Sequence, residues 1–163
     1  MKKQPFTKIA TLLPLLVSMI ILTACGGGGK TAGTDMQKPD EKELATASLQ
    51  KRCEMSKASF PLKVDEVTSQ IDVRLTPNEI IHYFTIDEGG LGVTLDNERI
   101  SPDALYGSIL ESLKLNRQDS VMRGEMEALV KTGRGIIYHY NGSKSGKEIE
   151  VKVSPEKLAE IMK

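Results

Sequence analysis

The sequence predicts an α+β fold: an antiparallel sheet of four to five strands built from two hairpins, with helices on one face. Two observations carry this. Helical and strand periodicities occur in blocks (helix, hairpin, two helices, hairpin, helix) rather than in βαβ alternation, which is the pattern of segregated helices and an antiparallel sheet. In addition, two short runs, Ile80–Ile86 and Ile136–Tyr140, are apolar at consecutive positions, as buried central strands are. These two are expected to be neighbours at the sheet centre. The cleaner alternators, residues 67–75 and 147–153, belong outside.

Each element has its own signal. Over 41–58, Leu44, Ala45, Leu49 and Cys53 form one stripe with Lys and Glu opposite, and Phe60-Pro61 ends the helix. Val67, Ser69, Ile71, Val73 and Leu75 alternate with polar residues, the mark of a half-buried strand. Thr76-Pro77-Asn78-Glu79 is a turn leading into the second strand. Gly89, Gly90 and Gly92 mark a loop, with a short edge strand expected at Val93–Leu95. Ser101-Pro102-Asp103 starts a helix with an N-cap, a first-turn proline and an acid, and Leu105, Ile109, Leu110 and Leu113 form its apolar face. A helix over 119–131 turns Met122, Met126, Leu129 and Val130 inward and ends at Gly133. Ile136–Tyr140 is followed by a hairpin loop over 141–146, whose Asn141-Gly142 suits a turn. Ile149, Val151 and Val153 alternate with charged residues, and Ser154-Pro155-Glu156 begins a last helix carrying Leu158, Ile161 and Met162.

Upstream of this domain (41–163) the chain changes character. Lys2, Lys3 and Lys8 precede a 14-residue apolar run, Ile9 to Leu22. A bilayer-spanning helix needs about 20 such residues, so the run fits a secretory signal over residues 1–24 better than a permanent span. Leu22-Thr23-Ala24-Cys25 resembles the lipobox of bacterial lipoproteins. The resemblance implies cleavage before Cys25, lipidation of its thiol and acylation of the new amine. Several acyl chains would make attachment effectively permanent where one holds only marginally. In that family an Asp after the lipidated Cys retains the protein in the inner membrane of some lineages. Gly26 therefore resembles the outer-membrane class, facing the periplasm or the cell surface; in a Gram-positive cell the same sequence would imply the outer face of the cytoplasmic membrane. Residues 25–40, rich in Gly and poor in apolar side chains, read as the lipidated Cys and a tether spanning roughly 20 Å.

Composition excludes several functions. Charge is balanced, 22 Lys+Arg against 22 Asp+Glu; losing residues 1–24 removes three Lys and no acid, leaving 19 basic and 22 acidic residues, net −3. That is no nucleic-acid binder. There is no Trp, and seven residues are Phe or Tyr, so stacking platforms are scarce. Gly29-Lys30-Thr31 resembles the end of a phosphate-binding loop, but that motif's leading glycine would fall at Ala24 and no strand precedes it, so a solvated spacer is expected.

The remaining candidate residues point away from catalysis. Cys53 is the one thiol left once Cys25 is acylated, and its place on the helix stripe predicts a buried, inert side chain, with an intermolecular disulfide as the alternative. His82 and His139 lie on expected neighbouring strands and could share a face, but two His make only part of a metal site, and ordinary sheet residues are expected. Neither a C-x-x-C nor a G-x-S-x-G occurs, so neither a cofactor nor a metal nor an enzymatic activity is expected. The strand at 147–153 is expected to be an edge open to a partner's strand, unless Lys147, Lys152 and a helix protect it.

The run Phe60-Pro61-Leu62-x-Val64-Asp65-Glu66-Val67-Thr68, with Tyr83-x-Thr85-Ile86, Gly135-Ile136-Ile137-Tyr138-x-Tyr140 and Gly146-x-x-Ile149-x-Val151, resembles small bacterial secreted or lipid-anchored proteins of unknown function. It spans residues 53–153. The resemblance implies the fold and brings no activity. Related chains often carry a second Cys near the C-terminus that would pair with the early one; this chain ends Glu160-Ile161-Met162-Lys163 without it. The expected role is that of an accessory or scaffold lipoprotein holding an envelope protein partner. The alternatives are an inhibitor or immunity-type lipoprotein, a pilotin-like assembly factor for a secretion channel, and a hydrolase whose site would join His82 to a serine and a carboxylate.

Overall fold

A computed structural model describes residues 40–97 and 100–163. The signal segment, Cys25, the Gly29-Lys30-Thr31 run and the tether up to residue 39 lie outside the described residues. Helix α1 (Glu41–Lys57) starts at Asp40, whose carboxylate accepts from the Lys42 N–H, and buries Ala45, Leu49 and Cys53. Leu44, expected on that stripe, is 54% exposed: the buried positions follow a strict four-residue spacing, and Leu44 stands one residue off it.

After the cis Phe60–Pro61 bond comes β1 (Leu62–Lys63), a two-residue strand with no sequence signal, pairing with Ser69 and Gln70. Strand β2 (Thr68–Leu75) is antiparallel to β3 (Glu79–Ile86), and its register shifts between Gln70 and Asp72. This bulge changes the expected alternation. Thr68, Gln70, Val73 and Leu75 pair with the inward residues of β3, while Ile71 is 47% exposed. Residues 93–95 form no strand. A one-turn helix, α2 (Glu88–Leu91), precedes them, and Leu95 is buried beyond it.

Helices α3 (Pro102–Asn116) and α4 (Ser120–Thr132) follow, capped by Ser101 and Asp119; Gly133 ends α4 with a left-handed φ of 69°. The chain returns as β4 (Gly135–Gly142), then β5 (Glu148–Val153) and α5 (Pro155–Ile161). The sheet order is β1-β2-β3-β4-β5, so Ile80–Ile86 and Ile136–Tyr140 are indeed central neighbours. Their pairing, however, is parallel, with Ile80 opposite Ile136 and Phe84 opposite Tyr140, so the sheet is mixed and not antiparallel throughout. The reason is the connection: residues 87–134, with two full helices, carry the chain back to the end where β3 began, which a tight turn cannot do.

Register assigns the faces. Val73, Ile80, Phe84, Ile136, Tyr140, Ile149, Val151 and Val153 line the covered side, meeting Leu49, Ile109, Leu113, Met126, Leu129 and Leu158 from the helices. Helix α1 packs on β2 and α4, α3 on β5, and α5 on β4 and α4. Arg52 near the end of α1 donates to the Val121 carbonyl at the start of α4, whereas Arg134, just past α4, reaches Thr46 and the Thr76 carbonyl. The two helices therefore run antiparallel, and Asp40 lies at the same end as the β2–β3 turn. None of the described helices is long and apolar enough to cross a membrane.

Candidate functional site

Beneath α4 lies a polar group within the apolar layer. The bulge in β2 turns Gln70 inward, and its Nε2 is 3.0 Å from Nδ1 of His82 on β3. Glu125 of α4 approaches the other ring nitrogen, Nε2, at 3.6 Å. Gln70 thus addresses one ring nitrogen of His82 and Glu125 the other. The Tyr138 ring stacks on His82 at 5.7 Å. Burial works to raise the Glu125 pKa, but the His82 contact and the charges of His82 and Arg52 outweigh it and leave the carboxyl below its ordinary value. His82 thus has the Gln70 amide and the Glu125 carboxylate as its partners. The sequence signalled His82 as a sheet residue; Gln70 and Glu125 carried no signal, because the bulge and the docking of α4 bring them there.

His139 lies on the opposite face. In the parallel register His82 pairs with Tyr138 and His139 with Tyr83, so the two imidazoles point to opposite faces of the sheet and cannot jointly hold a metal. His139 Nε2 is instead 3.8 Å from Glu148, with Tyr83 at 5.2 Å. Cys53 is buried at 6% exposure. Burial first, then the nearby Glu125, pushes its thiol pKa up, which keeps it protonated and a poor nucleophile.

A second polar group joins two loops at the far end of the sheet from Asp40. Glu88, 3% exposed, accepts from the backbone N–H of Leu95, Lys144 and Ser145 and from the Ser145 hydroxyl, at 2.5 to 2.7 Å. Burial would raise its pKa; these donors outweigh it and hold the carboxyl at about 2. The Leu95 N–H that an edge strand would have used is spent on this carboxylate. Gly142, expected in the hairpin turn, ends β4 instead, and Gly146, with φ of 63°, takes the left-handed position.

The uncovered face carries Ile81, Tyr83, Ile137 and His139 at its centre. The Arg74 guanidinium lies 4.9 Å over the Tyr83 ring and bonds Asp72 at 2.9 Å; Lys152 pairs with Glu79. Beside it, β5 forms the end of the sheet, as expected.

No described protein family matches the chain, and no curated protein does. Among solved structures, the chain is similar to a protein of Pseudomonas aeruginosa described as secreted, with a TM-score of 0.53 and 13% identity over 74% of this chain and 99% of that one. It is also similar to EpsS, a pilotin from the type 2 secretion system of Vibrio vulnificus, with a TM-score of 0.51 and 12% identity over 72% of this chain and 94% of that one. At these identities the likeness is one of fold.

Proposed function

We propose that this chain is a lipid-anchored envelope protein of the pilotin kind, fastened through Cys25 to the outer membrane and holding a subunit of a secretion channel there. The observation that carries this reading is the near-complete overlap with the Vibrio vulnificus pilotin, which covers 94% of that chain. The lipobox at Leu22–Cys25 supports the attachment. An accessory role is the coarser form of the same proposal, and binding through an open sheet face fits it better than catalysis.

The test is crosslinking in intact cells, with fractionation of the wild type and the Cys25→Ser variant, followed by affinity purification from envelopes. The wild type is expected in the outer-membrane fraction, crosslinked to a channel-forming subunit, and C25S is expected to leave the membrane. Unchanged fractionation of C25S would overturn the anchor. Crosslinks to no envelope protein would overturn the accessory role, and crosslinks to a secreted toxin or enzyme would point to the inhibitor reading.

A further inference from the structure

The outer edge of β5 is the last in the sheet order, and no described strand pairs with it. The Gly142 N–H donates to the Lys147 carbonyl, which makes 142/147 a hydrogen-bonded pair of the β4–β5 ladder. The register continues without a shift, so 140/149, 138/151 and 136/153 are also hydrogen-bonded pairs. A Cβ on Gly135 would fall 2.7 Å from the Val153 carbonyl oxygen, consistent with that oxygen pointing at β4. The N–H and C=O groups of Glu148, Glu150 and Lys152 therefore point away from the sheet. Among the described residues no strand pairs with them, which leaves three residues of ladder on the end strand of the sheet.

We infer that a second copy of this chain docks here, β5 against β5 in antiparallel register about Val151, joining two sheets into one. The sequence of the strand argues for this occupant. With Val151 on the two-fold axis, Glu150 stands opposite Lys152 of the second copy and Lys152 opposite Glu150, both in hydrogen-bonded positions. These side chains lie on the uncovered face and are exposed. On the covered face, Val151 meets Val151, and Ile149 meets Val153. Like charges nowhere face each other. A shift of the centre to Glu150 would set Glu150 against its own copy, and this selects the register. Lys152 keeps a second acid, Glu79, at hand within its own chain. The proposal does not depend on the pilotin reading.

Two differently tagged copies of the full chain, co-expressed, extracted in mild detergent and captured through one tag, test it. Wild-type copies are expected to co-purify. Glu150→Pro removes only an outward N–H, so the β4 ladder survives and co-purification is expected to fall at least tenfold. Glu150→Lys and Lys152→Glu each place like charges across the junction and should each lose self-association. Together, an E150K copy and a K152E copy put opposite charges at both positions and should recover it. Protease resistance checks that each variant is folded. Failure of wild-type copies to co-purify, undiminished capture with E150P, or no recovery in the mixed E150K and K152E sample would overturn the proposal.

Discussion

The Glu88 carboxylate occupies the space that a side chain at position 142 would need: a Cβ on Gly142 would lie 2.5 Å from Glu88 Oε1 and 2.6 Å from the Ser145 hydroxyl. Gly142 is thus required for room and not for a left-handed turn. Gly142→Ala is expected to cost about 1–3 kcal/mol, the usual penalty of overpacking a site that cannot move. Chemical denaturation of the variant checks it, and an unchanged midpoint would refute the packing argument.

The same carboxylate makes stability depend on acid. Its folded pKa, about 2, lies below the ordinary 4.5, so the unfolded chain takes up the proton first. Its contribution is complete above about pH 4.5 and declines as the pH falls towards 2. Glu88→Gln is expected to lower stability at neutral pH and to flatten the dependence in that window. Thermal melts of both chains between pH 2 and 7 compare the slopes.

His82→Ala removes the group that holds the Glu125 carboxyl down while burial remains. Its pKa is expected to rise above the ordinary glutamate value of 4.5. Carboxyl carbon chemical shifts followed through a pH titration read this directly. A Glu125 that stays depressed in the variant would show that Arg52 alone sustains it.

Leu49, fully buried where α1 meets the other helices and the sheet, is a packing position. Leu49→Ala is expected to cost about 2–5 kcal/mol, and Leu44→Ala, on the exposed side of the same helix, far less. Equal costs would contradict the observed face of α1.

The Cys53 thiol is expected to react slowly with iodoacetamide in the native chain and rapidly in denaturant, because burial both hides it and keeps it protonated. Rapid native labelling followed by mass spectrometry would exclude the observed burial.

Local chemistry was what the sequence revealed best. The caps at Ser101, Ser154 and Gly133 sit where their residue types predicted, because a cap is decided within four residues. Asp65 and Thr68 are turn chemistry too. The Asp65 side chain accepts from the Val67 and Thr68 N–H groups, and the Thr68 carbonyl accepts from Val64 and Asp65, which accounts for part of the Phe60–Thr68 run. What escaped were relations between distant segments. Alternation alone placed Ile71 inward, since a bulge leaves no mark in composition. The direction of β4 against β3 depends on how residues 87–134 travel, and the faces of His82 and His139 depend on the register in which the two strands meet, since a slip of one residue exchanges the faces. Val93–Leu95 reads as a strand only if Glu88, which takes the Leu95 N–H and joins it to the distant residues Lys144 and Ser145, is ignored.

The parallel union of β3 and β4 also sets the order in which the molecule can assemble. Each flanking hairpin closes over a few residues and can zip early. The seam between them spans residues 87–134, and closing it early carries an entropic cost that only the docking of α3 and α4 offsets. The centre of the sheet, its most apolar part, is thus the last place to be sealed, and until then two sticky strand edges stand open to whatever else the cell supplies.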